Sequence, residues 1–207
     1  MRSQVVRYLG FVGLLIAPSS GIWAAEIYSF TSIDVPGATS GTGARGINNA
    51  GQIVGEFYAS EPHGFLKDGV IFTTIDVPGT LGGQPFGIND AGRIVGTFFD
   101  ARGNHGFLKD GATFATIDVA GATGTQARGI NDFGQIVGSF FDGTGGRGFL
   151  KDGAISTTID VPGATDTEAF TSSSAINDAG QIVGVVFVVG DPNPHSYLAT
   201  PLPEPAS

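Results

Sequence analysis

The phrase Gly-Ile-Asn-Asp-Phe-Gly-Gln-Ile-Val-Gly at 129–138 recurs at 46–55, at 87–96 and, with Ala for the first Gly, at 175–184. The rest of the chain keeps fixed distances from these copies. An Ile-Asp-Val triplet opens at Ile33, Ile75, Ile117 and Ile159, with 42 residues between successive copies. His63-Gly64-Phe65-Leu66, His105-Gly106-Phe107-Leu108 and Arg147-Gly148-Phe149-Leu150 follow the same step, and His195-Ser196-Tyr197-Leu198 comes 48 residues after Arg147. Four such units confine the chain to a repeat array in which each unit is one supersecondary element.

Each unit reads as four short strands. Ile71, Thr73, Ile75 and Val77 alternate with Phe72, Thr74 and Asp76, a period of two that marks a strand with two unlike faces. Val77-Pro78-Gly79-Thr80 suits a type II turn with Gly at its positive-φ position. A Gly-Ile-Asn strand comes next, then an Asn-Asp-Xaa-Gly turn and a Gln-Ile-Val-Gly strand continued by aromatic residues. The fourth strand is His-Gly-Phe-Leu-Lys, and its Asp-Gly exit is a strong hairpin signal.

Blades of four strands and about 40–45 residues are the measure of a β-propeller. A trefoil needs three units, and a β-solenoid-like array, the alternative reading, leaves exposed ends. Because Asp-Gly couples each fourth strand to the next first strand, a blade comprises second, third, fourth and next first strands. The expected fold is therefore an all-β, four-bladed β-propeller of 42-residue repeats, closed by an N-terminal strand at Glu26–Val35. This phasing puts the near-uniform Asn-Asp-Xaa-Gly and Lys-Asp-Gly turns on one side of the ring. Length variation falls on the other: Ile-Asp-Val to Gly-Ile-Asn spans 14, 13, 13 and 17 residues, and Gln/Arg-Ile-Val-Gly to His or Arg spans 8, 9, 9 and 11. Insertions gathered on one side point to a binding side.

With 207 residues, 34 of them Gly, only 14% charged but 41% hydrophobic, the chain can bury a core, and its glycines serve turns. The absence of Cys excludes disulfides and thiolate chemistry. Residues 1–25 read as a signal peptide: Arg2 and Arg7 give a positive start, Tyr8–Ala17 a short apolar run, and Pro18–Gly21 a break. Net charge is −9, and loss of that leader leaves 8 basic against 19 acidic residues, −11. Such a surface repels nucleic acid and anionic lipid, so neither is an expected partner, and no membrane insertion of the mature chain is expected. The domain reading is 1–25 signal peptide, 26–199 repeat propeller and 200–207 Pro-rich tail.

The tail, Pro201-Leu202-Pro203-Glu204-Pro205-Ala206-Ser207, resembles the opening of a PEP-CTERM sorting signal, without the apolar span and Arg cluster that come next in that family. Over roughly 28–198, Gly-Ile-Asn-Asp-Xaa-Gly-Gln-Ile-Val-Gly together with His-Gly-Phe-Leu resembles the HAF-type extracellular repeats of bacteria, with Gly where that family's naming motif has Ala. The resemblance implies export from a Gram-negative cell to its surface or surroundings, and it brings no established activity.

No Gly-Xaa-Ser-Xaa-Gly or His-Glu-Xaa-Xaa-His pattern is present, and no catalytic residue or cofactor is expected. The phasing yields two candidate sites. Asn48, Asn89, Asn131 and Asn177, with Asp90, Asp132 and Asp178, form a candidate axial ring for water or a hard cation such as Ca²⁺, against the commoner use of Asn and Asp to satisfy turn amides. Tyr58, Phe99, His105, Phe141, Arg147 and His195 form a candidate ligand-binding rim on the variable side. Asp34, Asp76, Asp118 and Asp160 read as solvated edge charges, and the His residues as isolated strand ends. The functional expectation is a secreted, monomeric, non-enzymatic protein that binds a glycan or exopolysaccharide in adhesion or matrix association. A propeller hydrolase or lyase with an axial site is the alternative, disfavoured because the inner strands look uniform. A purely structural surface spacer is the third.

Overall fold

A computed structural model describes residues 29–80, 82–162, 170–188, 190–191 and 193–202. The leader 1–25 and the Pro-Glu-Pro motif lie outside the described residues. The chain divides into residues 1–33 and 34–207, and the second unit holds every strand. Among the described residues every regular element is a strand, and no helix is long and apolar enough to cross a membrane.

Four antiparallel sheets form a ring, the arrangement of a four-bladed β-propeller. Blade 1 comprises β1 (Thr42–Ile47), β2 (Ile53–Tyr58), β3 (Pro62–Asp68) and β4 (Ile71–Ile75). Blade 2 comprises β5 (Gly83–Ile88), β6 (Ile94–Asp100), β7 (Gly103–Asp110) and β8 (Thr113–Ile117). Blade 3 comprises β9 (Gly124–Ile130), β10 (Ile136–Phe141), β11 (Gly146–Asp152) and β12 (Ile155–Ile159). Blade 4 comprises β13 (Phe170–Ile176), β14 (Ile182–Phe187) and β15 (His195–Ala199). Strand order in each blade follows the chain, and one parallel bridge, Gly146 to Phe170, ties blade 3 to blade 4.

The core lies in the seams between blades. Between blades 1 and 2, Val54, Ile75 and Val77 of the first pack against Ile88, Ile94, Phe98 and Phe107 of the second. Between blades 2 and 3, Val95 and Ile117 meet Ala127, Ile130, Ile136, Phe140 and Phe149. Each Gln/Arg-Ile-Val-Gly strand thus sends its Ile backwards and its Val forwards, which is why both must be apolar. In blade 4 Tyr197 replaces the buried Phe, and its hydroxyl is satisfied 2.8 Å from Ser173, which replaces Ala or Pro of the other blades.

The Gly of Gly-Ile-Asn is set by the approach of the next blade. A Cβ on Gly46 would stand 2.8 Å from the Phe86 carbonyl oxygen, and one on Gly87 would stand 3.0 Å from that of Arg128. Blade 4 carries Ala175 at this position, and its seam with blade 1 is the loosest. Val183 is 45% exposed where Val54, Val95 and Val137 are fully buried, and Ile47 is 67% exposed where Ile88 and Ile130 are 8%. Of the expected closing strand, 26–28 lie outside the described residues and 29–35 form no ladder. Strands β4, β8 and β12 are each registered by an Asp-Gly hairpin, and the N-terminal stretch has no such hairpin to register it. Val35 nevertheless enters blade 1 as Val119 enters blade 3: its amide donates to Thr42 Oγ1 at 3.3 Å, as Val119 donates to Thr125 Oγ1 at 3.2 Å.

Gly87→Ala is expected to cost about 1–3 kcal/mol through overpacking of the seam, whereas Ala175→Gly should change stability by under about 1 kcal/mol. Urea unfolding of the two variants checks the contrast.

Candidate functional site

The two sides of the ring use their polar residues differently. On the uniform side, Asn48 Oδ1 accepts the Gln52 amide at 2.9 Å, and its Nδ2 donates to the Asn89 carbonyl of the next blade at 3.1 Å. Asn89 does the same with Arg93 and Asn131, and Asn131 with Gln135 and Asn177. A second row runs beside it: the amides of Asn49, Asp90 and Asp132 donate to Asp90, Asp132 and Asp178 of the following blades at 2.8–2.9 Å. The four Asn and three Asp do meet around one axis, where they line a depression of about 210 Å³ floored by Ile47, Ile88, Ile130 and Ile176. Their oxygens cap turn amides, and the amide nitrogens of Asn48, Asn89 and Asn131 strap one blade to the next. Among the described residues no group of three or more His, Asp or Glu has the placement to hold a metal ion.

Gln52, Arg93 and Gln135 carry the straps outward, reaching Asp68, Asp110 and Asp152 of the Lys-Asp-Gly turns at 2.9–3.0 Å. Both kinds of tight turn therefore share one side of blades 1, 2 and 3.

On the variable side the structure spreads the six rim candidates over four blades. Tyr58 and Phe99 are exposed while their neighbours Phe57 and Phe98 are core; Phe141 is half-buried beside buried Phe140. The His residues are not isolated: the Ile-Asp-Val carboxylates facing His63 and His105 are exposed, as expected of edge charges, yet each is paired with its imidazole. His63 Nδ1 lies 3.0 Å from Asp76, and His105 Nδ1 lies 2.9 Å from Asp118 with Nε2 3.2 Å from Asp100. Each ring stacks on the core Phe beneath it, with centroids 5.3 Å apart for Phe57–His63 and 5.2 Å for Phe98–His105. The pairing is readable from the chain: counting outward from the Asp-Gly turn puts Gly64 opposite Ile75, hence His63 beside Asp76. Linker carboxylates take the other strand-start side chains, Asp142 to Arg147 at 3.2 Å and Asp191 to His195 at 2.9 Å.

The hydrogen bond that His105 donates to Asp118 raises the His105 pKa above the ordinary value, partly opposed by burial. Amide and hydroxyl donors in the linker hold Asp142 below the usual carboxylate range, with the Arg147 charge adding to them.

Blade 3 departs from its neighbours in a way that opens a groove. Phe72 and Phe114 pack on Phe65 and Phe107 at 5.9 Å in blades 1 and 2. The equivalent of Phe72 and Phe114 in blade 3 is Ser156, and a groove of about 610 Å³ lies there, lined by Asp118, Phe140, Asp142, Arg147, Ser156 and Thr158 among others. It runs from the variable rim down the outer strand. Ser156 is not among the rim candidates; the break in Phe72, Phe114, Ser156 is its signal in the chain.

A further set lies on the axis. Each inner strand has a β-bulge, and the extra residues are Arg45, Phe86, Arg128 and Ser174. The expectation of uniform inner strands fails at this position, because a bulge breaks the alternation on which that expectation rests. Arg45 and Arg128 both lie over the Phe86 ring, at 6.0 and 5.3 Å from its centroid.

No protein-family model matches the chain, and no curated protein matches it.

Asn89→Ala takes the acceptor from the part-buried Arg93 amide and removes the inter-blade bond to the Asn131 carbonyl, and is expected to cost about 1–3 kcal/mol. Asn177→Ala, whose amide reaches only Gln181, should cost less; denaturant titration compares them. His105 should titrate above about 6.5, the unperturbed value, with most of the shift removed by Asp118→Asn in an NMR titration. Because the folded pKa is raised, the His105–Asp118 contribution to stability is full below the unfolded pKa and is lost as pH rises through the folded one.

Proposed function

We propose that the chain is an exported, non-enzymatic propeller of the HAF-repeat type that binds a surface glycan or exopolysaccharide through its variable side. The observation behind this reading is the groove of blade 3. It combines two hydroxyls, Ser156 and Thr158, an ion pair fixed by the linker, Asp142–Arg147, and an apolar floor at Phe140. A concave site with an apolar wall and a few fixed polar groups suits a ligand rich in hydroxyls. The groove exists where the repeat is broken, whereas the uniform side spends its polar groups on strapping blades together. Exposed Tyr58 and Phe99 extend an aromatic rim around the same side.

The test is a glycan array, followed by calorimetry with the polysaccharides it selects. Ser156→Phe restores the residue type of blades 1 and 2 and should plug the groove, weakening binding at least tenfold at unchanged melting temperature. Tyr58→Ala and Phe99→Ala should weaken binding of long chains more than of short ones. Release of shorter sugars from a bound chain would move the reading to a hydrolase or lyase; absence of binding across the array would leave a structural spacer.

A further inference from the structure

The four bulge residues occupy one level of the axis. Strands β1, β5, β9 and β13 run from the variable to the uniform side, so Arg45, Phe86, Arg128 and Ser174 precede the isoleucine floor and lie on its variable side. Blades 1 and 3 stand across the ring from one another, yet their guanidinium groups meet over the ring of blade 2's Phe86. A bulge is a common means of aiming a side chain out of a ladder.

The two guanidinium groups are in different states. Arg45 already holds a carboxylate: its Nε lies 3.0 and 2.9 Å from the two Glu56 oxygens, and its Nη2 lies 2.5 Å from one of them. Glu56 is buried in blade 1, and the equivalent residues of blades 2, 3 and 4 are Thr97, Ser139 and Val185. Arg128 has an amide instead, with Nη2 donating to Gln126 Oε1 at 2.7 Å, and its Nε is buried without an acceptor among the described residues. Burial, and then the charge of Arg45, lowers the Arg128 pKa. A chain of net charge −9 thus places an uncompensated, half-buried cation at its centre. Exposed Ser174 completes the fourth side with a hydroxyl.

We propose that this axial quartet binds the carboxylate of an acidic sugar, with Arg128 taking the ligand's carboxylate through the remaining N–H groups of its two terminal nitrogens. The sugar part of this assignment rests on the proposal that the protein binds a glycan; the anion part rests on the axial geometry alone. Planar, two-pronged pairing is the mode that guanidinium favours. The low-dielectric surroundings of Phe86 strengthen the pairing relative to the same pair in water. The acid can come as a free uronate or as a unit of a polymer.

The experiment is calorimetry on the exported chain with sodium glucuronate, oligogalacturonate and, as the neutral control, glucose. Glucuronate should bind and glucose should not, and affinity should fall as salt rises. Arg128→Gln should weaken glucuronate at least tenfold, with Arg128→Lys between it and the parent, thermal melts verifying that both fold. Glu56→Gln frees Arg45 and should tighten glucuronate several-fold, an outcome that misfolding cannot imitate. Absence of glucuronate and oligogalacturonate binding by the folded parent, or parental affinity in Arg128→Gln, overturns the proposal. Neutral glycans bound at the groove with no carboxylate bound would sink this inference and leave the glycan reading intact. Glucuronate bound with no polymer bound would do the reverse.

Discussion

The asparagine that ends each inner strand is the element on which the ring depends. Its oxygen closes the turn of its own blade and, in blades 1 to 3, its nitrogen reaches the carbonyl of the next, so one side chain couples local structure to blade order. Three such links join blades 1 to 2, 2 to 3 and 3 to 4. Without these side chains the turn amides of Gln52, Arg93 and Gln135 would lose their acceptors and the tight-turn ends of neighbouring blades would lose their direct side-chain-to-backbone bonds. The carboxylate row beside it reinforces the same direction, and Asn49 fits this scheme. Asp at that position caps the amide of the preceding blade, and among the described residues no blade 4 amide is bonded to Asn49. Blade 1 therefore has Asn, which donates to Asp90 instead.

The seams show how little freedom that arrangement leaves. Forward Val and backward Ile interdigitate, while glycine admits the neighbouring carbonyl. Where glycine gives way to Ala175, the packing has loosened, and Val183 and Ile47 are left open.

Much of this was legible in the chain. Repeat period, blade count, blade phasing and the sorting of turns onto two sides come from spacing, because strand alternation and hairpin chemistry are local. Partner assignments were less so. Asp76 and His63 come from strands whose mutual register had to be counted from the hairpin, and without the count both look solitary. The direction of Arg45 and Arg128 was hidden for a different reason: the extra residue of a bulge reverses the parity by which faces are read. The groove depended on an omission, Ser156, and an absent side chain leaves no motif.

The bulge has a consequence for how such a protein can change. Its side chain stands outside the ladder and outside the seams, so neither sheet pairing nor blade packing constrains its identity. Four copies of one repeat can therefore diverge at this position while remaining interchangeable as building units. Arginine, phenylalanine, arginine and serine have accumulated there beside an unchanging Ile-Asn. Duplication supplies the frame, and the bulge supplies a tolerant position, pointed at the axis, where each copy can acquire its own chemistry.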